Sequence, residues 1–180
     1  MWADKIKKTE DIVKYQVQAT LTSRKFLCFR QDNPYLLIER ARRANLNEYV
    51  RVEKSNVMFD DTNPWWDTKQ TTMTEFCNND KYLPIRLSVY SFSNSGNNQM
   101  YGQVTTTTRD IEMLPSESRI LQIKNEKDVV TGHLEFKQFE MDMRPSLLEY
   151  IQSGWEIQVS IGIDFTLSNL EITDYRSLHK

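Results

Sequence analysis

The residues best suited to chemistry lie near the C-terminal end, where an acid and two hydroxyl groups follow an apolar segment. Asp164, Thr166 and Ser168 alternate directly after residues 156–163, whose apolar pattern predicts a buried strand. This spacing places three oxygen groups at the end of one strand, and Mg²⁺ prefers oxygen ligands. The chain ends at Lys180, before the further strands and helices that a parallel domain needs to complete such a site. We therefore expect an incomplete magnesium site that holds no ordered ion.

Length and composition fit one small domain with an appended segment. The 180 residues are 39% apolar, which is enough chain for one hydrophobic core. A formal charge of −2 argues against nucleic-acid binding, which usually needs a basic domain. No apolar run is long enough to span a membrane, and the N-terminal residues do not resemble a secretory signal. The two cysteines predict free thiols and a cytoplasmic location, rather than a disulfide scaffold or a zinc site.

Strand-like segments separated by turns dominate the chain up to residue 143. Strands are predicted by alternation at 13–21 and 49–53 and by an apolar run at 35–38, with further strands at 83–92, 102–107, 119–124 and 131–143. The pattern predicts an all-β fold, namely an antiparallel β-sandwich of about eight strands. After Pro145, residues 146–152 are predicted to form a short helix that ends at Gly154.

Several segments of the sequence resemble a known family. Residues 32–38 (Asp-Asn-Pro-Tyr-Leu-Leu-Ile) and 63–66 (Asn-Pro-Trp-Trp) resemble segments of C2 domains, which are lipid-binding β-sandwiches. Residues 77–80 and 84–90 are similar to the stretch before the third calcium loop of copines. The segments that resemble the start of the copine von Willebrand A-type domain are 148–154, 161–169 and 177–179.

The resemblance implies three parts of the chain. These are an N-terminal extension at 1–10, a C2-like domain at 11–143 and a truncated start of an A-type domain at 144–180. In a complete A-type domain, Asp164, Thr166 and Ser168 would bind or surround Mg²⁺ together with residues from later loops.

The resemblance also locates the calcium-binding loops, where this sequence departs from the family. A calcium site in a C2 domain gathers about five carboxylates, because Ca²⁺ takes about six to eight oxygen ligands. The matching positions here are Leu27, Asp32, Asn33, Ser91, Ser93 and Gln99. Asp32 is shifted by one position, so we expect its side chain to point away from the other loops. Neutral side chains cannot offset the desolvation of a divalent ion, so we predict that the loops bind no calcium and that no cofactor is needed.

A group of basic residues forms a second candidate surface. Its members are Arg40, Arg42, Arg43, Arg51 and Lys54. Some C2 domains present a basic patch to phosphoinositides on such strands, and each basic residue contributes about 1 kcal/mol near an anionic membrane. Glu39, Glu48 and Glu53 are interleaved with them, so an ordinary solvated face is the competing interpretation. Contact with anionic lipid or with an acidic protein stays open.

The segment after the sandwich is predicted to meet a protein partner. An apolar strand without a neighbouring edge exposes backbone donors and acceptors, which recruit another chain. The expected contact residues are Leu147, Leu148, Ile151, Ile157, Val159 and Ile161.

Enzymatic chemistry is not indicated. His133 and His179 stand apart from any nucleophile motif, and the five glycines form no phosphate-binding loop. We therefore predict a calcium-independent C2-like interaction or structural module, part of a larger intracellular assembly. The alternatives are a peripheral phospholipid-binding module that uses the basic face, or a fragment of a full-length, calcium-dependent phospholipid-binding copine.

Overall fold

The described part of the chain consists of short strands and three short helices. The computed structural model describes residues 10–22, 32–143, 145, 147–156, 158–162, 170–171 and 173–178. The strands are β1 (Ile12–Leu21), β2 (Pro34–Arg42), β3 (Asn45–Lys54), β4 (Lys69–Thr72), β5 (Pro84–Ser91), β6 (Gln99–Thr107), β7 (Ile120–Lys124) and β8 (Val130–Asp142). The helices are α1 (Met73–Cys77), α2 (Thr108–Met113) and α3 (Leu147–Gln152). None of these described helices has the length and apolar character needed to cross a bilayer.

The strands form one curled antiparallel sheet. Their order is β3-β2-β5-β6-β7-β8-β1-β4, and a single register pair, Gln103 with Lys124, joins β6 to β7. The sheet therefore consists of two four-stranded layers that remain connected at one point. A Cβ atom on Gly102 would lie 2.5 Å from Thr131 Oγ1, so the close approach beside this junction requires glycine. The predicted all-β, C2-like sandwich is confirmed.

The core lies between the two layers. In β1, the alternate residues Val13, Tyr15 and Val17 are buried, and the residues between them are more exposed. They pack in one cluster with apolar side chains of the other layer, among them Ile38 and Leu87. The period-two pattern that predicted the strands therefore reflects burial of one face of each strand.

The chain divides into two compact units, Met1–Arg144 and Pro145–Lys180. In the second unit, α3 forms as predicted and its end is followed by Gly154 at a φ of +97°. The strand predicted at 156–163 is wrong for the positions described there, because residue 156 and residues 158–162 belong to no strand. A strand is held by hydrogen bonds to a neighbouring edge, and every described strand lies between residues 12 and 142. An apolar pattern alone does not supply that edge.

Candidate functional site

Three connecting segments meet at one end of the sheet, and we call residues 32–33, 55–64 and 92–98 the loop end. The backbone N–H of Asp61 donates to the carbonyl of Asp32 at 2.9 Å. The N–H of Phe92 donates to the carbonyl of Asn33 at 2.8 Å. The structure thus brings together the predicted calcium-loop positions, except that Leu27 lies outside the described residues.

Asp32 faces the core rather than the loops. Asp32 is only 2% exposed, and its carboxylate accepts a hydrogen bond from the hydroxyl of Tyr101. Within the described chain, the other carboxylate oxygen has no hydrogen-bond partner. The only acid at the predicted positions is therefore turned inward and bound to a phenol.

The neutral predicted positions in the loop end, and those beside it in β5 and β6, are used in structural contacts. Asn33 Oδ1 accepts from the backbone N–H of Asp60 at 3.0 Å. Ser91 is the cross-strand neighbour of both Pro34 and Gln99, so it completes the ladder at the ends of β2, β5 and β6. These residues close the loops against one another and contribute no negative charge.

The turn between β5 and β6 is closed by its own side chains. The backbone N–H of Ser93 donates to Asn98 Oδ1 at 2.9 Å, and the hydroxyls of Ser93 and Ser95 are 2.9 Å apart. Asn98 Nδ2 also donates to the hydroxyl of Tyr35 at 3.2 Å. A turn held in this way by neutral groups is a poor source of calcium ligands.

Two acids that the sequence analysis did not select, Asp60 and Asp61, also belong to the loop end. Their backbone N–H groups contact Asn33 and Asp32, and Asp61 Oδ1 accepts from the N–H of Asn63 at 2.7 Å. Among the residues that the structure describes, no three acidic, His or Cys side chains are arranged to hold a metal ion. The turn composition of residues 60–64 was visible in the sequence, but the contact of this turn with residues 32–33 was not.

Three of the five predicted basic residues are engaged elsewhere. Arg40 Nε donates to a backbone carbonyl in α1 at 3.0 Å. At the turn between β2 and β3, Arg42 lies 3.7 Å from a carboxylate oxygen of Glu48. Its neighbour Arg43 lies 3.4 Å from a carboxylate oxygen of Asp80. The five residues therefore do not form a single basic patch.

The remaining two, Arg51 and Lys54, lie on what we call the outer face, the side of the β3-β2-β5-β6 layer turned away from the core. Both residues are exposed. Their cross-strand neighbours in β2 are Glu39 and Leu37. Within the described part of the chain, neither cation has a carboxylate partner. The Lys54 ammonium instead lies 4.4 Å from the centre of the Tyr35 ring.

Beside these cations lie a buried tyrosine, Tyr35, a half-buried one, Tyr90, and one ion pair. The rings of Tyr35 and Tyr90 stack with centroids 5.6 Å apart at an angle of 16°. Burial, and to a lesser extent the neighbouring Tyr90, raises the pKa of Tyr35. Arg86 binds Glu39 at 2.7 Å and lies 4.0 Å from the centre of the Tyr49 ring. One cation of this face is thus neutralised, whereas Arg51 and Lys54 are not.

The predicted partner-contact residues of the second unit are exposed where the structure describes them. Leu147, Leu148 and Ile151 are 68%, 63% and 42% exposed, and Val159 and Ile161 are 78% and 83% exposed. Those outside the described residues are Ile157 and the predicted magnesium ligands Asp164, Thr166 and Ser168.

Comparison with known proteins gives the class of the fold. The chain superposes on the solved structure of BON1-C2B with a TM-score of 0.64, at 17% identity, over 74% of this chain and 93% of that one. A C2 domain of plant Extended Synaptotagmin 1 gives a TM-score of 0.50, at 19% identity, over 73% of this chain and 92% of that one. The fold is therefore that of a C2 domain.

The sequence is similar to copine proteins. It is 24% identical over 182 residues to Copine-A of Dictyostelium discoideum, covering 98% of this chain and 30% of that protein. It is 26% identical over 149 residues to Protein BONZAI 2 of Arabidopsis thaliana, covering 78% of this chain and 25% of that protein. The chain thus spans less than a third of the length of either relative. No protein-family model matches it.

Proposed function

We propose that this chain is a C2-type interaction module that works without calcium. The observation that carries the proposal is the loop end, where Asp32 is buried against Tyr101 and the other predicted positions are neutral. A C2 fold without a calcium site must recognise its target through other surfaces. The proposal is for binding, not catalysis.

We further propose that the second unit joins the module to a larger intracellular assembly. Leu147, Leu148, Val159 and Ile161 each expose more than half of their surface. Burying such a side chain contributes about 1.5–3 kcal/mol. Covering the predicted contact residues with a protein partner would therefore be favourable.

Size-exclusion chromatography of native extract from cells that express the tagged full chain tests the assembly. We expect the wild-type chain to elute in a high-molecular-weight complex and the Leu148→Asp/Ile151→Asp variant to elute as a monomer. Leu46→Asp is the matched control, because Leu46 is 54% exposed but lies in β3 of the first unit. A wild-type chain that elutes only as a monomer, or a double variant that stays in the complex, contradicts this function.

Peripheral phospholipid binding is the second candidate, and the unpaired Arg51 and Lys54 are the observation that favours it. Co-sedimentation with phosphatidylserine vesicles, with and without calcium, separates the candidates. The proposed module stays in the supernatant in both conditions. Sedimentation without calcium supports a lipid-binding face, and sedimentation only with calcium supports a fragment of a calcium-dependent copine.

A further inference from the structure

The side of the β7-β8-β1-β4 layer that is turned away from the core is rich in amide side chains, and we call it the glutamine face. In β1, the odd-numbered residues from 13 to 21 are buried, so the even-numbered residues between them point outward. The strand register brings further amides from β4, β7 and β8 to the same side. The amides of the described face are Gln16, Gln18, Gln70, Gln122 and Gln138.

A shallow groove of about 390 Å³ opens on the glutamine face beside β1. Its lining residues all share the outward side, and they are Ile12, Lys14, Gln70, Glu140 and Asp142. Beyond the groove, Gln16 and Gln18 continue the line of polar side chains along β1. Lys14 and Gln18 are four residues apart in one strand, so this stretch covers about 13 Å. The face therefore offers an extended polar surface.

A tryptophan stands at the far end of this line. Trp65 pairs with Gln18 in an antiparallel bridge and is 52% exposed, whereas its neighbour Trp66 is 4% exposed. The Lys137 ammonium lies 5.8 Å from the centre of the Trp65 ring, and it binds a carboxylate oxygen of Glu135 at 2.6 Å. The indole is therefore supported by a neighbouring ion pair and still presents an open surface on which a ligand ring can stack.

The charge of the glutamine face argues against a phosphate-bearing ligand. Glu135 is neutralised by Lys137, and the groove holds two acids but only one cation, Lys14. Phosphate groups on lipids and nucleic acids are bound through an excess of cations. The face therefore suits an uncharged polar ligand.

The amides favour a ligand that both donates and accepts hydrogen bonds. In the described chain, the side chains of Gln16 and Gln18 make no hydrogen bond, whereas Gln138 donates to Glu140 at 3.0 Å. A glutamine amide has an acceptor oxygen and a donor nitrogen. A sugar hydroxyl satisfies both groups, whereas a proline-rich peptide, which also docks on aromatic rings, offers mainly acceptors because proline has no N–H.

The apolar side of a sugar ring, which carries only C–H groups, also packs flat against an indole. We propose that the glutamine face binds a neutral oligosaccharide. Trp65 is the stacking surface, and Gln16 and Gln18 are the hydrogen-bonding residues.

This site lies in the first unit and uses none of the residues proposed for assembly, so it goes beyond the function proposed above. Loss of sugar binding through Trp65→Ala would leave the assembly through Leu148 and Ile151 intact. The two proposals therefore fail independently.

An array of neutral oligosaccharides tests the site on the tagged full chain, with separate series built from glucose, galactose, mannose and N-acetylglucosamine. We expect at least one series to bind, and calorimetric titration with that oligosaccharide then compares the variants. Trp65→Ala should weaken binding by about tenfold or more, because the stacking surface is lost. Trp155→Ala is the matched control and should leave the affinity unchanged, because Trp155 is 68% exposed but lies in the second unit.

A second pair of variants tests the amides. Gln16→Ala/Gln18→Ala keeps Trp65 and should also weaken binding, whereas Gln103→Ala, at an exposed position of β6 in the other layer, should not. Circular dichroism verifies that each variant is folded. Failure of every series to bind at millimolar concentration, or binding that Trp65→Ala does not weaken, would overturn the proposal. A polyproline peptide that binds through Trp65 more tightly than every oligosaccharide would overturn it in favour of a peptide site.

Discussion

Asp32 is turned toward the core, where its carboxylate meets the phenol of Tyr101. This carboxyl group is buried and bonded to the Tyr101 hydroxyl, so it holds the segment before β2 against β6. Buried polar groups are costly unless they are hydrogen-bonded. The hydrogen bond to Tyr101 therefore gives Asp32 a structural role in the first unit.

Removing the phenol hydroxyl should therefore destabilise the first unit. Tyr101→Phe leaves the buried Asp32 side chain without its hydrogen bond, and we expect a loss of about 1–3 kcal/mol in the free energy of unfolding. Urea denaturation measures it. Tyr90→Phe, at a half-buried ring of the outer face, should change stability by less than about 0.5 kcal/mol. Equal stabilities for the Tyr101→Phe and wild-type chains would refute a structural role for the pair.

At this scale, the sequence predicted the chemistry of individual positions better than their surroundings. The neutral character of Asn33 and Ser93 could be read directly. The approach of Asp60 to Asn33 could not, because those residues are 27 positions apart and meet only when the sheet forms. The separation of Arg40 from Arg51 also depends on packing, because Arg40 donates to the carbonyl of Glu75 in α1, 35 positions away in the sequence.

Among the elements, the long amphipathic strands were predictable and the short polar elements were not. β1 and β8 carry clear alternation, whereas β4 (Lys-Gln-Thr-Thr) has no apolar residue to reveal its buried side. Helices α1 and α2 are only 5 and 6 residues long, too short to show a helical period. The sequence nevertheless carried a usable signal for both helices. Each helix begins after a threonine whose hydroxyl accepts from the backbone N–H of an acidic residue three positions later.

The cap of α2 gives a prediction at the scale of one element. Thr107 Oγ1 accepts from the N–H of Asp110 at 3.0 Å and lies 2.7 Å from its carboxylate. Thr107→Ala should cost about 1 kcal/mol of stability. Thr105→Ala is the control, because Thr105 is exposed in β6 and caps no helix. Thermal unfolding that does not distinguish the two variants would argue against the cap.

Removal of the second unit tests the independence of the first. The eight strands of the described chain lie between residues 12 and 142, and the core cluster lies within the same range. Deletion of residues 145–180 should therefore leave a cooperatively folded sandwich, which on our proposal would no longer join an assembly. Circular dichroism and urea titration check folding. Loss of the cooperative transition on deletion would mean that the sandwich depends on its C-terminal segment.

For the molecule as a whole, the all-β class and the C2-like sandwich followed from the strand pattern and from the resemblance. The conformation of the described residues between 156 and 162 did not follow from the sequence. An apolar run is compatible with a paired strand and also with a segment that has no neighbouring edge. Val159 and Ile161 are exposed in the chain by itself. Apolar side chains indicate that burial is favourable. The sequence does not indicate which surface buries them.

The central claim is that this C2 fold works without calcium, and isothermal titration calorimetry of Ca²⁺ into the full chain tests it most directly. We predict no saturable heat at millimolar Ca²⁺, because the acid at the predicted loop positions, Asp32, is buried against Tyr101 and the remaining ligand positions are neutral. Variants Asp60→Asn and Asp61→Asn should give the same flat titration. A saturable heat in the wild-type chain that these substitutions abolish would place calcium at the loop end and contradict the account.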